Sequence, residues 1–395
     1  MEHSTPIYNS TTITEFGLNS TEFENTSDRL QTPNMDTGIY ILAKFHLVAI
    51  PIITTFGLIG NSLAFFVFIS KSLRRTSCSW YLAARSLSDT GFLICLFIMW
   101  LGDAFRVRIF HTVVVCQCVI FFTYFFGFLS VWLVVLITCE NYIRICHPFT
   151  VARFCNIRVA KGFIIGFSVV GVIIYNFSLW TTHITVHGNL QTCSPNDNYL
   201  MITRFLTYGD MIITLLIPSI AIILLMVAIT LSVIKSYKRQ TRLRGKQNCS
   251  SVQNGGSYKR SNSPQAKVTR MLFAVSFIFL ALNLPSHVVR LRIVLLTFLK
   301  HRPSKPTLDQ MIQVIFQIIY YMSFAVNLFV YLCCGDNFRK VFVDRYFSCF
   351  KSAINRKNEQ SHTSFTAMPG RCDFPEIQNK DEEVCKGEEE TSLIN

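Results

Sequence analysis

The chain has 395 residues, of which 51% are hydrophobic and 15% charged, with 35 Phe and a formal net charge of +14. This is more apolar surface than a water-soluble core of that length uses, so a wholly soluble globular protein is excluded and a membrane is the expected solvent. The basic excess lies beside the apolar segments, where it reports topology and anionic headgroups rather than a nucleic-acid partner.

Residues 1–44 form a polar, Ser- and Thr-rich tail with no basic segment leading into an apolar run, so no cleavable signal peptide is expected. Three sequons, at Asn9, Asn19 and Asn25, make chemical sense if this tail reaches the lumen and is glycosylated.

Crossing the hydrocarbon core takes roughly 20 mostly apolar residues. Such stretches lie at about 45–70, 80–101, 109–139, 162–182, 203–234, 271–296 and 310–333, the second with Asp89 inside it. The expected fold is therefore an all-α seven-transmembrane helix bundle over 45–350. From Lys235 to Arg270 every charged residue is basic, and Lys71, Arg74, Arg75, Arg153, Arg158 and Lys161 mark two further basic loops. Basic loops stay in the cytoplasm, which puts the N-terminus outside in a multi-pass plasma-membrane protein. Lys300, Arg302 and Lys305 after span six run against this bias.

Residues 337–350 alternate basic and aromatic side chains, as a short amphipathic eighth helix on the inner leaflet does. Cys349 at its end is a palmitoylation candidate or a plain reduced thiol. Residues 351–395 turn acidic and read as a disordered cytoplasmic tail.

Most of the 14 Cys fall within spans or cytoplasmic parts, where they stay reduced. Cys116, opening span three, and Cys193, in the loop after span four, are placed for an exofacial bridge. Cys118 competes with Cys116, but residues two apart on a helix face different ways and only one is aimed correctly.

An ionisable group in hydrocarbon costs roughly 2.5–3.5 kcal/mol even on the lenient insertion scale, so each needs a partner or a purpose. Asp89 in span two shares its depth with Asn61 in span one, Ser130 in span three and Asn327 in span seven. Such a carboxylate ringed by amides and a hydroxyl is either a site for a hard cation such as sodium or a hydrogen-bonded packing cluster without an ion. No other cofactor is indicated.

With Asn61, Leu82-Ala83 and Asp89, Cys116 with Cys193, Glu140, Tyr142 and Pro148, Pro218, Phe279, Pro285, Asn327 and Tyr331 in this order and spacing, the chain resembles a rhodopsin-like G-protein-coupled receptor. The resemblance implies a Cys116–Cys193 bridge and a sodium-sensitive hub at Asp89, Ser130 and Asn327. It also implies partners: a heterotrimeric G protein, arrestin and a receptor kinase, the last two with candidate sites at Ser361, Thr363, Ser364 and Thr366.

The chain departs from the family at its switch. Glu140-Asn141-Tyr142 lacks the arginine that follows the acidic residue, and Arg144, one turn further, is either its substitute or a membrane-edge anchor. Asn283 stands for the tryptophan before Pro285, Leu328 for the proline after Asn327, and Met226 for the tyrosine of span five; the span-four tryptophan is absent.

Thr123 replaces the aspartate of amine receptors and Tyr321 the retinal-linking lysine of opsins, which argues against both ligands. Toward the outer ends, Thr123, Tyr124, Arg204, Asp210, His287, Arg290, Gln313 and Gln317 offer charges and amides suited to an extracellular peptide. The chain looks most like invertebrate neuropeptide receptors of the FMRFamide-receptor and thyrotropin-releasing-hormone-receptor type, by analogy with which Arg290 is either the ligand's anchor or an arginine snorkelling to the interface. Two alternatives stand beside this reading: an atypical receptor that signals mainly through arrestin or scavenges, and a channel or transporter. No nucleophile, paired carboxylates or phosphate loop points to an enzyme.

Overall fold

The computed structural model describes residues 33–105, 112–187, 190–247, 264–298 and 306–347. Asn9, Asn19, Asn25, Cys349 and the tail sites Ser361, Thr363, Ser364 and Thr366 lie outside the described residues. Two compact units are distinguished, Met1–Arg345 and Tyr346–Asn395, and of the second only residues 346 and 347 are described.

In the first unit the apolar stretches become helices: α1 (Pro33–Phe68), α2 (Ser77–Phe105), α3 (Val113–Cys146) and α4 (Ile157–Tyr175). An antiparallel hairpin of β1 (Thr182–His187) and β2 (Leu190–Pro195) follows. Then come α5 (Leu200–Asp210), a π-helical stretch Met211–Leu216, α6 (Ile217–Gln247), α7 (Pro264–Phe298), α8 (Pro306–Ala325), α9 (Asn327–Cys334) and α10 (Asp336–Tyr346). Six of the described helical segments are long and apolar enough to cross a membrane, and α8 with α9, bent by 52°, makes a seventh span.

The helices outrun the expected spans because nothing stops them at the hydrocarbon edge. Pro33, Pro264 and Pro306 each occupy the first helical position, where the missing N–H costs nothing. Lys, Arg and Gln are good helix formers, so α6 continues through the basic residues after Ile234 to Gln247.

Inside the bundle α3 is the axis, with buried positions on it from Cys116 to Asn141, and it packs against α2, α4, α6 and α7. Outward faces stay apolar: Phe56 and Ile59 on α1, Ile165 and Val169 on α4, and Leu224 and Leu231 on α6 are all exposed. Such stripes match lipid and would aggregate in water.

Two breaks in the backbone ladder are met by side chains. Pro51 has no N–H to offer the Leu47 carbonyl, and the Trp100 indole of α2 donates to it at 2.8 Å, tying α2 to α1. At the α8–α9 bend, where Leu328 stands instead of proline, the Asn61 amide donates to the Phe324 carbonyl at 2.8 Å and the Asn327 amide reaches the same oxygen at 3.4 Å. Side-chain insertion into the ladder accounts for a bend without proline. Gly57 lets α1, α2 and α8 close here, since a Cβ on it would lie 2.4 Å from Leu93 Cδ1 and 3.0 Å from Ala325 Cβ.

Candidate functional site

The disulfide Cys116–Cys193 joins the start of α3 to β2, and Gln117 Nε2 donates to the Thr182 carbonyl at 3.1 Å. Cys118 is left as a free, partly buried thiol. The hairpin is thereby fixed at one end of the bundle.

A cleft lies between α3, the π-helical stretch, α7 and α8, with Phe92 of α2 also in its lining. It brings together Thr123, Tyr124, Asp210, His287 and Arg290, five of the residues expected from the sequence. Thr123 returns its hydroxyl to the Val119 carbonyl at 2.7 Å. Tyr124 stacks on Tyr175 with ring centres 5.5 Å apart, and the Tyr175 hydroxyl donates to Asp210 Oδ1 at 2.5 Å. The Arg290 guanidinium sits 5.2 Å from the centre of the Tyr320 ring, a cation–π distance. His287 is 6% exposed, and neither ring nitrogen has a hydrogen-bond partner among the described residues. A buried, unsatisfied imidazole on a cleft wall is the kind of group that a ligand satisfies.

Gln313 and Gln317 do not line the cleft; Gln317 Nε2 donates to the Tyr321 hydroxyl at 2.6 Å. Of Arg204 only the backbone, in α5, is described. Tyr175 and Tyr320 were not anticipated, because a lone tyrosine in an apolar run carries no periodic signal.

Below the cleft, Asp89 is fully buried. Ser130 Oγ donates to its Oδ1 at 2.5 Å and Asn327 Nδ2 to its Oδ2 at 2.6 Å. Asn61 does not touch the carboxylate, its amide being spent on the Phe324 carbonyl. A residue absent from the expected hub completes it: Arg85, 1% exposed, lies one turn before Asp89 with Nε 3.6 Å from Oδ2. The signal was in the sequence, an arginine inside the second apolar stretch beside Asp89. A sodium ion needs oxygen lone pairs and no competing cation, whereas this carboxylate already accepts two hydrogen bonds and has a permanent positive charge 3.6 Å away. The residues present do not fit a sodium site.

At the end of the bundle away from the hairpin, Glu140 is 5% exposed and accepts from Ser77 Oγ at 2.7 Å and from Arg144 Nε at 3.0 Å. Asn141 is fully buried with no side-chain partner among the described residues, and Tyr142 reaches His147 Nε2 at 3.4 Å. Thr138 and Ser276 share a hydroxyl hydrogen bond of 2.7 Å between α3 and α7. Tyr331 is buried between Phe68 and Phe338, at 5.0 and 5.4 Å between ring centres.

The sequence model of the 7 transmembrane receptor (rhodopsin family) matches residues 60–331. The chain is 25% identical to neuromedin-U receptor 2 of Rattus norvegicus over 75% of this chain and 73% of the relative. It is 24% identical to the thyrotropin-releasing hormone receptor of Mus musculus, over 75% and 77%. The similarity to somatostatin receptor type 2 of Sus scrofa is also 24%, over 90% and 94%.

Proposed function

The chain belongs to the rhodopsin family of seven-transmembrane receptors, and from that premise we propose that it is a plasma-membrane receptor for an extracellular peptide, passing the binding event to heterotrimeric G proteins. The family is one of receptors, so neither an enzyme nor a channel or transporter is the reading adopted. The observation that carries the ligand class is the cleft itself: an anion at Asp210, a cation at Arg290 and the unsatisfied imidazole of His287 share one wall system. A peptide supplies the complementary amides and end groups. Relatives named for neuromedin U, thyrotropin-releasing hormone and somatostatin support the same class.

The N-terminus and hairpin end then face outward, a reading supported by the sequons and the basic loop after α6. The other end meets the G protein, with α10 on the lipid surface and the tail available to a receptor kinase and arrestin. Outward swing of α7 breaks the Thr138–Ser276 bond and repacks Tyr331. Arg144 takes over from the missing neighbour of Glu140, because it is Arg144 that pairs with that carboxylate. This pairing favours coupling over the arrestin-only reading that Asn141 by itself invites.

The test is a peptide-library screen in cells reading calcium, cyclic nucleotide and arrestin recruitment, repeated with Arg290→Ala. An agonist whose potency drops at least tenfold in the variant, with surface expression unchanged, is expected. A peptide that recruits arrestin with no G-protein output transfers the argument to the atypical receptor.

A further inference from the structure

The family's hub is a place where a small cation is expected, and in this chain it already contains one. Arg85 and Asp89 are an i,i+4 pair on α2, so the guanidinium and the carboxylate meet on one helix face. Both side chains are out of solvent, at 2% and 0% exposure. Guanidinium is never deprotonated in a protein, and its charge sits here at the distance of an ion pair. Each carboxylate oxygen also accepts one hydrogen bond, Oδ1 from Ser130 and Oδ2 from Asn327.

On the other side of the guanidinium, its Cζ lies 5.6 Å from the centre of the Phe279 ring of α7. Phe279 packs with Val131, Val134, Ile222 and Met226, the apolar layer joining α3, α6 and α7. Arg85 therefore touches the carboxylate hub with one edge and the moving helix with a face.

We propose that Arg85 is the resident counter-cation of Asp89 in place of a sodium ion, and that it positions the hub against Phe279 of α7, which makes the resting state of this receptor indifferent to sodium. Arg85 is a positioning residue. It explains how the chain keeps an Asp in hydrocarbon without an exchangeable ion, and why Asn61 is free to serve the Phe324 carbonyl instead of the hub. A second cation beside Asp89 would meet the guanidinium's repulsion in a medium that screens it poorly.

The experiment uses the full-length receptor in lipid nanodiscs, melted in sodium chloride and in choline chloride of equal ionic strength, with a thiol-reactive dye reporting exposure of the buried Cys78 and Cys95. No agonist is needed, so its failure leaves the peptide-receptor reading untouched. The wild type is expected to melt at the same temperature in both salts. Arg85→Leu is expected to melt higher in sodium chloride, saturably, and the double variant Arg85→Leu with Asp89→Asn to lose that difference. A saturable, sodium-specific rise in the wild type that Asp89→Asn removes overturns the proposal. Should Arg85→Leu fail to fold, the wild type and Asp89→Asn still decide between these outcomes.

Discussion

Arg144 lies one helical turn beyond Glu140 and closes an ion pair with it, while Asn141, the residue directly after Glu140, has no side-chain partner among the described residues. The acidic residue at the end of α3 away from the hairpin is thus held by a cation three positions beyond Asn141. Ser77 of α2 adds a second donor to the same oxygen, so the pair also ties α3 to α2.

Removing that cation is expected to loosen the resting state. A hydrogen bond to a charged group is worth about 1.5–3 kcal/mol. Arg144→Gln should therefore raise agonist-independent signalling by roughly tenfold, measured at matched surface density. Unchanged basal output would leave Arg144 as an anchor at the membrane edge.

His287→Phe should move stability and potency in opposite directions. The imidazole is buried with no hydrogen-bond partner among the described residues, and relieving an unsatisfied polar group recovers about 1–3 kcal/mol. The variant should melt higher in the absence of ligand while agonist potency falls. A lower melting temperature with potency unchanged would make His287 a packing residue.

Cysteine variants separate the two thiols at the start of α3. Cys193→Ser loses the bridge to Cys116 and should cost about 2–5 kcal/mol, seen as a lower melting temperature and reduced surface labelling. Cys118→Ser should leave both readings at the wild-type level.

Thr138 and Ser276 form a neutral link between α3 and α7, and a hydrogen bond of this type contributes about 0.5–1.5 kcal/mol. Thr138→Val and Ser276→Ala should each raise basal output severalfold. The double variant should go no further than the larger single effect, because both remove one bond; full additivity would show two independent roles.

Much of this architecture is written in the sequence in coarse form. Seven apolar stretches fix the bundle because hydrocarbon tolerates few alternatives to a helix. Asp89, Ser130 and Asn327 were legible for the same reason, since a buried carboxylate demands partners of that kind. What stayed hidden depends on direction rather than residue type. Asn61 shares the depth of Asp89, yet its amide turns to the Phe324 carbonyl, a choice that spacing does not encode. The hairpin has its signal in β-branched Thr182, Ile184, Thr185 and Val186 ahead of Gly188-Asn189, but so short a run beside an apolar span is hard to tell from the span's own end. Gln313 and Gln317 look like ligand contacts in the sequence because polar residues near a span end are ambiguous until helix rotation is known. Arg85 was visible throughout, and its importance emerged only once its partner was seen one turn away.

Nucleotide exchange shows whether a peptide bound between α3 and α7 drives G-protein activation through a hub held by its own charges. Purified receptor in nanodiscs is mixed with heterotrimeric G proteins of each main class, and guanine-nucleotide uptake is followed with and without a peptide selected in the screen. Peptide-dependent acceleration with at least one class is expected, reduced by Arg290→Ala and equal in sodium and choline salts. A peptide that binds the purified receptor and accelerates exchange on none of them would overturn the peptide-receptor mechanism.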